Sequence, residues 1–314
     1  MKKYIGVDIG GMSVKIGLVN ENGNILDKKV VKTEGDADSV IDTLGNALKA
    51  FLKINGLTAE DIVGIGIGCP GAITSATGVV EYSNNLGWRD VKLVDGLKKY
   101  VDTDYKISND ANVAALGEAI FGAAKDFSDV VMFTLGTGVG GGIIIDKKLY
   151  EGNESKGAEL GHALLVMDGE ECTCGRKGCI EAYCSASALI RDTKRAMLRH
   201  TDSKMWEYAE NDINNVNGRT AFAMARENDP AAAEVVENYV KYLSESIMSY
   251  CNIFRPEAFV LGGGICGEGK YLLDKVIAYC EKGHYGYQGT PAVKIITATL
   301  GNDAGIIGAA ALLV

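Results

Sequence analysis

The sequence predicts an α/β protein made of two related halves, and three observations carry that prediction. Apolar runs of strand length alternate with amphipathic stretches of helical period along the chain. A pattern of strand, glycine turn and strand over residues 3–19 returns over 130–145, which suggests two halves facing one cleft. The length, 314 residues, suits two domains. Hydrophobic residues make up 47% and charged residues 23%, the balance of a folded globular chain. The longest apolar runs, 259–266 and 306–314, fall far short of the roughly 18–20 residues that cross a bilayer. With no apolar export segment at the start, the expectation is a cytoplasmic protein without a membrane partner. A net charge of -9 repels a polyphosphate backbone, so no nucleic-acid partner is expected.

Residues 3–9, 14–19 and 25–31 read as a strand meander, turned at Gly10-Gly11 and at 21–24. Apolar residues at Val40, Ile41, Leu44, Ala47, Leu48, Phe51 and Leu52 predict a helix over 36–54. A buried strand at 62–67, a turn at Pro70-Gly71, a short helix over 91–100 and a strand at 105–108 follow. A helix over 111–121 can be capped by Asn109 or Asp110. The second half opens with a strand at 130–135, a glycine turn at 136–142 and a returning strand at 143–145. Its clearest helix is 230–254, with proline in the first turn and Val236, Val240, Leu243 and Ile247 on one face. A strand at 257–261, a turn at 262–264, a helix over 269–281, a strand at 293–297 and a terminal helix over 303–314 complete the chain.

Three glycine turns follow apolar strands, at Gly10-Gly11, at Gly136-Thr137-Gly138 and at Gly262-Gly263-Gly264. Backbone without Cβ lets N–H groups approach phosphate oxygens, so facing turns can hold a triphosphate. No turn has the lysine of a P-loop, and none opens a helix as a dinucleotide turn does. Asp8, ending the first strand, can orient a water on Mg2+, and Lys15 on the return strand can reach a phosphate. Asn109-Asp110 at a strand-to-helix junction serves as a cap, or Asp110 serves as the base that accepts the proton of an attacking hydroxyl. His162, Cys172, Cys174 and Cys179 have the spacing of a closed tetrahedral site, a structural Zn2+ with no open position. Glu159 and Glu181 flank that loop. Carboxylates pair with vicinal hydroxyls, so with Asn84 or Asn85 and Trp88 they describe a sugar pocket, to which His162 can turn its second ring nitrogen.

Asp8-Ile9-Gly10-Gly11, the run 135–142, Glu159-Leu160-Gly161-His162 and Cys172-x-Cys174-Gly175-x-x-Gly178-Cys179-x-Glu181 together resemble the ROK family of sugar kinases and repressors. The resemblance spans nearly the whole chain. It implies the two-lobed actin-like ATPase (ribonuclease H-like) fold with a deep interdomain cleft. The smaller domain would be 1–118 plus 302–314 and the larger, zinc-bearing one 119–301. It implies Asp110 as catalytic base and Gly71, Asn84, Asn85, Asn109, Glu159, His162 and Glu181 around the sugar. Gly10, Gly11, Thr137, Gly138, Gly263 and Gly264 would meet ATP. The activity implied is transfer of the γ-phosphate of ATP to the 6-hydroxyl of glucose, by a homodimer or homotetramer. Alternatives are a kinase for fructose, allose, N-acetylmannosamine or N-acetylglucosamine, and a sugar sensor without catalysis. A repressor of this family carries a helix-turn-helix ahead of the first strand, for which this chain leaves no room. One departure stands out: Met12 occupies the position of a family threonine, which implies weaker nucleotide binding.

Overall fold

In the computed structural model, which describes residues 1–286 and 289–314, the chain begins as an antiparallel meander of β1 (Lys3–Ile9), β2 (Ser13–Asn20) and β3 (Ile25–Lys32). Helix α1 (Ala37–Ile54) follows, its first turn closed by the Asp36 carboxylate accepting from Ser39 N. Its buried stripe, Val40, Leu44, Leu48 and Phe51, belongs to one apolar core with Ile5, Val7, Ile16 and Ile67 of the sheet. Strand β4 (Ile65–Cys69) pairs in parallel with β1. A small antiparallel sheet of β5 (Ala72–Thr74), β6 (Val79–Ser83) and β7 (Trp88–Val91) then precedes α2 (Leu93–Lys98). Strand β8 (Tyr105–Asn109) returns to pair in parallel with β4 and runs directly into α3 (Asp110–Ile120). The sheet order is β3-β2-β1-β4-β8.

The second sheet repeats this plan. It is built from β9 (Val130–Leu135), β10 (Val139–Ile145) and β11 (Lys148–Tyr150), then, beyond the helices α4 (Glu181–Cys184), α5 (Ala186–Arg199), α6 (Met205–Tyr208), α7 (Thr220–Arg226) and α8 (Pro230–Phe254), from β12 (Ala258–Gly262). Helix α9 (Lys270–Gly283), β13 (Lys294–Thr297) and α10 (Ala304–Ala311) end the chain. The order β11-β10-β9-β12-β13, with β12 parallel to both β9 and β13, matches the first sheet strand for strand. The repeat expected from the strand, turn, strand echo is therefore a repeat of topology.

Two compact units result: residues 1–129, 142–158 and 299–314 form the first, and 130–141 with 159–298 form the second. The terminal helix groups with the first unit. It packs so closely on the sheet that a Cβ at Gly66 would strike the carbonyl of Ala309. Residues 119–129, 142–158 and 299–301 group with the first unit instead of the second. Polar ties account for this. The Lys147 ammonium donates to Ala119 O at 3.0 Å, Ser108 Oγ donates to Glu151 at 2.6 Å, and the buried Glu118 carboxylate accepts from Thr299 N and Leu300 N at 2.8 and 2.7 Å.

Three local expectations change. The segment 72–91 forms the β5-β6-β7 sheet, and the following helix starts at Leu93 because Trp88–Val91 is already a strand. Residues 140–142 continue the ladder of β10; the turn itself is only 136–138, closed by Gly136 N donating to Gly138 O at 3.0 Å. The strand expected at 62–67 lies at Ile65–Cys69.

Helix α8 depends on a buried cap. The Asp229 side chain accepts from Ala232 N at 2.8 Å, Lys204 N at 2.7 Å and Ser203 Oγ at 2.9 Å. Burial raises the Asp229 pKa, but these donors outweigh it and leave the carboxyl below its usual value. Asp229→Ala should cost about 2 kcal/mol in urea unfolding near neutral pH. Since the folded pKa is the depressed one, this contribution is complete above roughly pH 4 and is lost as pH falls through the folded value. The gap between wild type and variant should narrow in acid, and a constant gap would contradict the assignment.

Candidate active site and metal centre

In the first unit, β1 delivers Asp8 and then the turn Gly10-Gly11-Met12. Asp8 is engaged by Lys15 at 3.0 Å across the β1–β2 ladder, and Lys15 Nζ also donates to Asn302 O at 3.2 Å. The lysine expected to meet a phosphate is thus tied to Asp8 and the loop before α10. Met12 is 88% exposed and buries nothing.

The junction of β8 and α3 separates the two roles left open for Asn109 and Asp110. Asn109 is the cap: its Oδ1 accepts from Ala111 N at 2.9 Å and Asn112 N at 3.4 Å, while its Nδ2 donates to Gly71 O at 3.2 Å. One residue thereby closes the helix and holds the Pro70-Gly71 turn. Asp110, the first helical residue, accepts from Ala111 N at 2.8 Å and stays half-exposed. Beside it Cys69 is buried; burial raises its thiol pKa and the Asp110 charge adds to this, so the thiol stays protonated. Asn84 and Asn85 are exposed on the β6–β7 turn, with Asn84 Oδ1 accepting from Tyr82 OH at 3.2 Å. Trp88, grouped with them in the expected sugar pocket, is instead 4% exposed within the apolar core, because β7 turns its ring inward.

In the second unit, His162 ends a single 3-10 turn, Leu160–His162, immediately after Glu159. The ligand atoms of His162, Cys172, Cys174 and Cys179 all lie within 4.8 Å of one another. Cys174 and Cys179 sulfurs are 3.7 Å apart, and Cys172 Sγ is 3.6 Å from His162 Nδ1. A tetrahedron with zinc–sulfur bonds of about 2.3 Å has edges of about 3.8 Å, so the donors fit zinc. Left to the protein alone, burial pushes the Cys172 thiol up to about 12 and raises that of Cys179; a coordinated cation takes the thiolates instead. With Nδ1 toward the sulfurs, Nε2 is the ring nitrogen left for another partner.

Glu181, the first residue of α4, joins two motifs that the sequence presents separately. Its Oε1 accepts from Thr173 Oγ1 of the cysteine loop at 2.6 Å, and its Oε2 accepts from Val139 N at 3.1 Å, where β10 leaves the glycine turn. On the other side of that turn, Ser187 Oγ donates to Thr137 O at 2.8 Å and Ala186 N to Gly136 O at 2.8 Å. Thr173 and Ser187 were not legible as partners of the site, since Thr173 fills the variable position between Cys172 and Cys174 and Ser187 lies outside every spaced motif. Gly138 lies against the Glu181 carboxylate. Gly263, at φ 91°, leads into the 3-10 turn starting at Gly264; a side chain there would strike the backbone of Leu135. Glu159 is exposed, yet partial loss of hydration raises its carboxyl pKa; His162 opposes the rise and Glu181 adds to it.

The sequence model of the ROK family matches residues 4–314. The chain belongs to the ROK family. A glucokinase of Halalkalibacterium halodurans is 34% identical over 313 residues, 97% of this chain and 93% of that protein. Among solved structures, a ROK family glucokinase from Streptomyces griseus in complex with glucose and AMPPNP superposes with a TM-score of 0.82 at 34% identity, covering 99% of this chain and 98% of that one. A ROK hexokinase from Thermus thermophilus gives 0.83 at 30% identity, over 98% and 97%. The actin-like ATPase class expected from the sequence holds for this chain. Among the described residues no helix is long and apolar enough to cross a membrane.

The donor geometry has a direct consequence. Elemental analysis of the purified chain should find one zinc per molecule, and Cys179→Ser should reduce that stoichiometry by at least half. Wild-type protein without bound zinc would exclude the metal centre.

Proposed function

We propose that this chain is a glucokinase that transfers the γ-phosphoryl group of ATP to the 6-hydroxyl of glucose. The observation that carries the reading is the full-length similarity, 34% identity, to glucokinases, including one crystallised with glucose and an ATP analogue. The site residues support it. Asn109 caps α3, and the Asp110 carboxylate, which accepts from Ala111 N through Oδ1, is assigned the part of accepting the hydroxyl proton as the oxygen attacks phosphorus. Glu159, Glu181, His162 through Nε2, Asn109, Asn84, Asn85 and the Gly71 turn are the groups assigned to sugar hydroxyls. The turns at Gly10-Gly11, Thr137-Gly138 and Gly263-Gly264 are assigned to the nucleotide, their amides offsetting phosphate charge. A Mg2+ ion entering with ATP neutralises phosphate charge, and Asp8 is the carboxylate assigned to its water shell. Zinc has a structural part only, because its four donors leave no open position. The reading places the enzyme in the cytoplasm, where both substrates are found.

An ADP-coupled assay should show glucose-dependent consumption of ATP. Asp110→Asn should lower kcat on the order of a thousandfold while glucose affinity, measured calorimetrically, changes less than about threefold. Wild-type protein that binds glucose but turns over neither glucose nor fructose, allose, N-acetylmannosamine or N-acetylglucosamine would identify a sugar sensor instead.

A further inference from the structure

The turn after β1 is clamped from one side. Gly10 N donates to Ser13 O at 2.9 Å, and Thr33, the residue following β3, makes two further bonds. Thr33 N donates to Met12 O at 3.2 Å and Thr33 Oγ1 donates to Gly10 O at 3.0 Å. Three of the four carbonyls over residues 10–13 are therefore occupied by the protein. The amides of Gly11 and Met12, in contrast, donate to no protein acceptor among the described residues. A carbonyl and the following N–H share one rigid trans peptide plane and point in opposite directions. Holding Gly10 O consequently fixes the direction of Gly11 N–H. Successive outward N–H groups bind anions, whereas an outward carbonyl would repel a phosphate.

We propose that Thr33 is a positioning residue for the nucleotide: its hydroxyl orients the Gly10–Gly11 peptide so that Gly11 N–H faces a phosphate of ATP. Position 12 carries no hydroxyl, so the backbone amides of Gly11 and Met12, and whatever fixes their direction, count for more in recognition there. A hydroxyl just after β3, outside the glycine motif, supplies that control. The inference rests on the reading of this turn as a holder of nucleotide phosphates.

The test compares Thr33→Val, which removes the hydroxyl at constant shape and keeps the backbone bond to Met12, with Thr33→Ser, which restores the hydroxyl. Thr33→Ala replaces the valine variant if that one is insoluble. Calorimetry with AMPPNP and magnesium should show about a tenfold weaker Kd for Thr33→Val and less than about a threefold change for Thr33→Ser. The KM for ATP should follow the Kd, while glucose affinity and Tm stay near wild type. Thr33→Val that binds AMPPNP as wild type does would overturn the proposal. So would a parallel loss of glucose affinity and Tm, or a serine variant as weak as valine. Wild-type protein with no affinity for AMPPNP would instead remove the nucleotide reading itself, and the proposal with it.

Discussion

The loop over residues 170–179 is too polar to hold a shape by burial, yet it is flanked by the histidine and the two glutamates assigned to the sugar. Its constraint is the convergence of His162, Cys172, Cys174 and Cys179 on one point. Hydrogen bonds complete the hairpin around them: Cys172 N donates to Arg176 O at 2.8 Å and Gly178 N to Glu170 O at 2.8 Å. Anchors on the body of the unit hold its base, with Glu170 N donating to Tyr183 OH at 2.7 Å and Arg195 meeting the Glu170 carboxylate. The consequence reaches past the loop. Thr173 is bonded to Glu181, and Glu181 to the amide of Val139, so one cluster of donors also fixes the exit of a glycine turn assigned to phosphate. The Glu181 carboxylate thus joins the cysteine loop to the exit of the glycine turn.

In the first unit, close backbone packing and the buried Glu118 carboxyl hold the elements in place. Helix α10 rests against the glycines of β1 and β4, which brings the last residues of the chain beneath the strand that carries Asp8. Glu118, fully buried at the end of α3, is tolerated because its carboxylate accepts from Ala123 N, Thr299 N and Leu300 N. Those bonds secure the segment leading into α10 to the helix that begins with Asp110. Asp110 is thereby mounted on an element held at both ends: Asn109 at its start and Glu118 at its finish.

The cluster of His162, Cys172, Cys174 and Cys179 was legible because thiolates and an imidazole at such spacing have few other uses in a polar loop. The two sheets were legible because buried strands followed by glycine turns recur, and helices α1 and α8 because their apolar residues keep a 3.6-residue period. The small sheet over 72–91 was not. Its strands are three to five residues long, too short to display alternation against a background of Gly, Thr and Asn. Trp88 misled for a related reason: an aromatic beside two asparagines resembles a sugar platform, and only the pairing of β7 with β6 shows the ring turned into the core. Asn109 and Asp110 could not be told apart by spacing, because both side chains cap helices well; Asn109 is the one that precedes the first helical residue and also accepts from Asn112 N, at 3.4 Å. The unit boundaries depended on contacts of Glu118, Lys147 and Glu151 with residues far along the chain, which no local pattern encodes.

A metal held by these four donors would shape the groups of the second unit assigned to the sugar. The most direct measurement is calorimetric titration of glucose into zinc-loaded protein and into protein stripped of zinc by a chelator, with the loss confirmed by elemental analysis and folding by circular dichroism. Glucose affinity should fall at least about tenfold on stripping and return when zinc is restored. Equal affinity in the two states would contradict it.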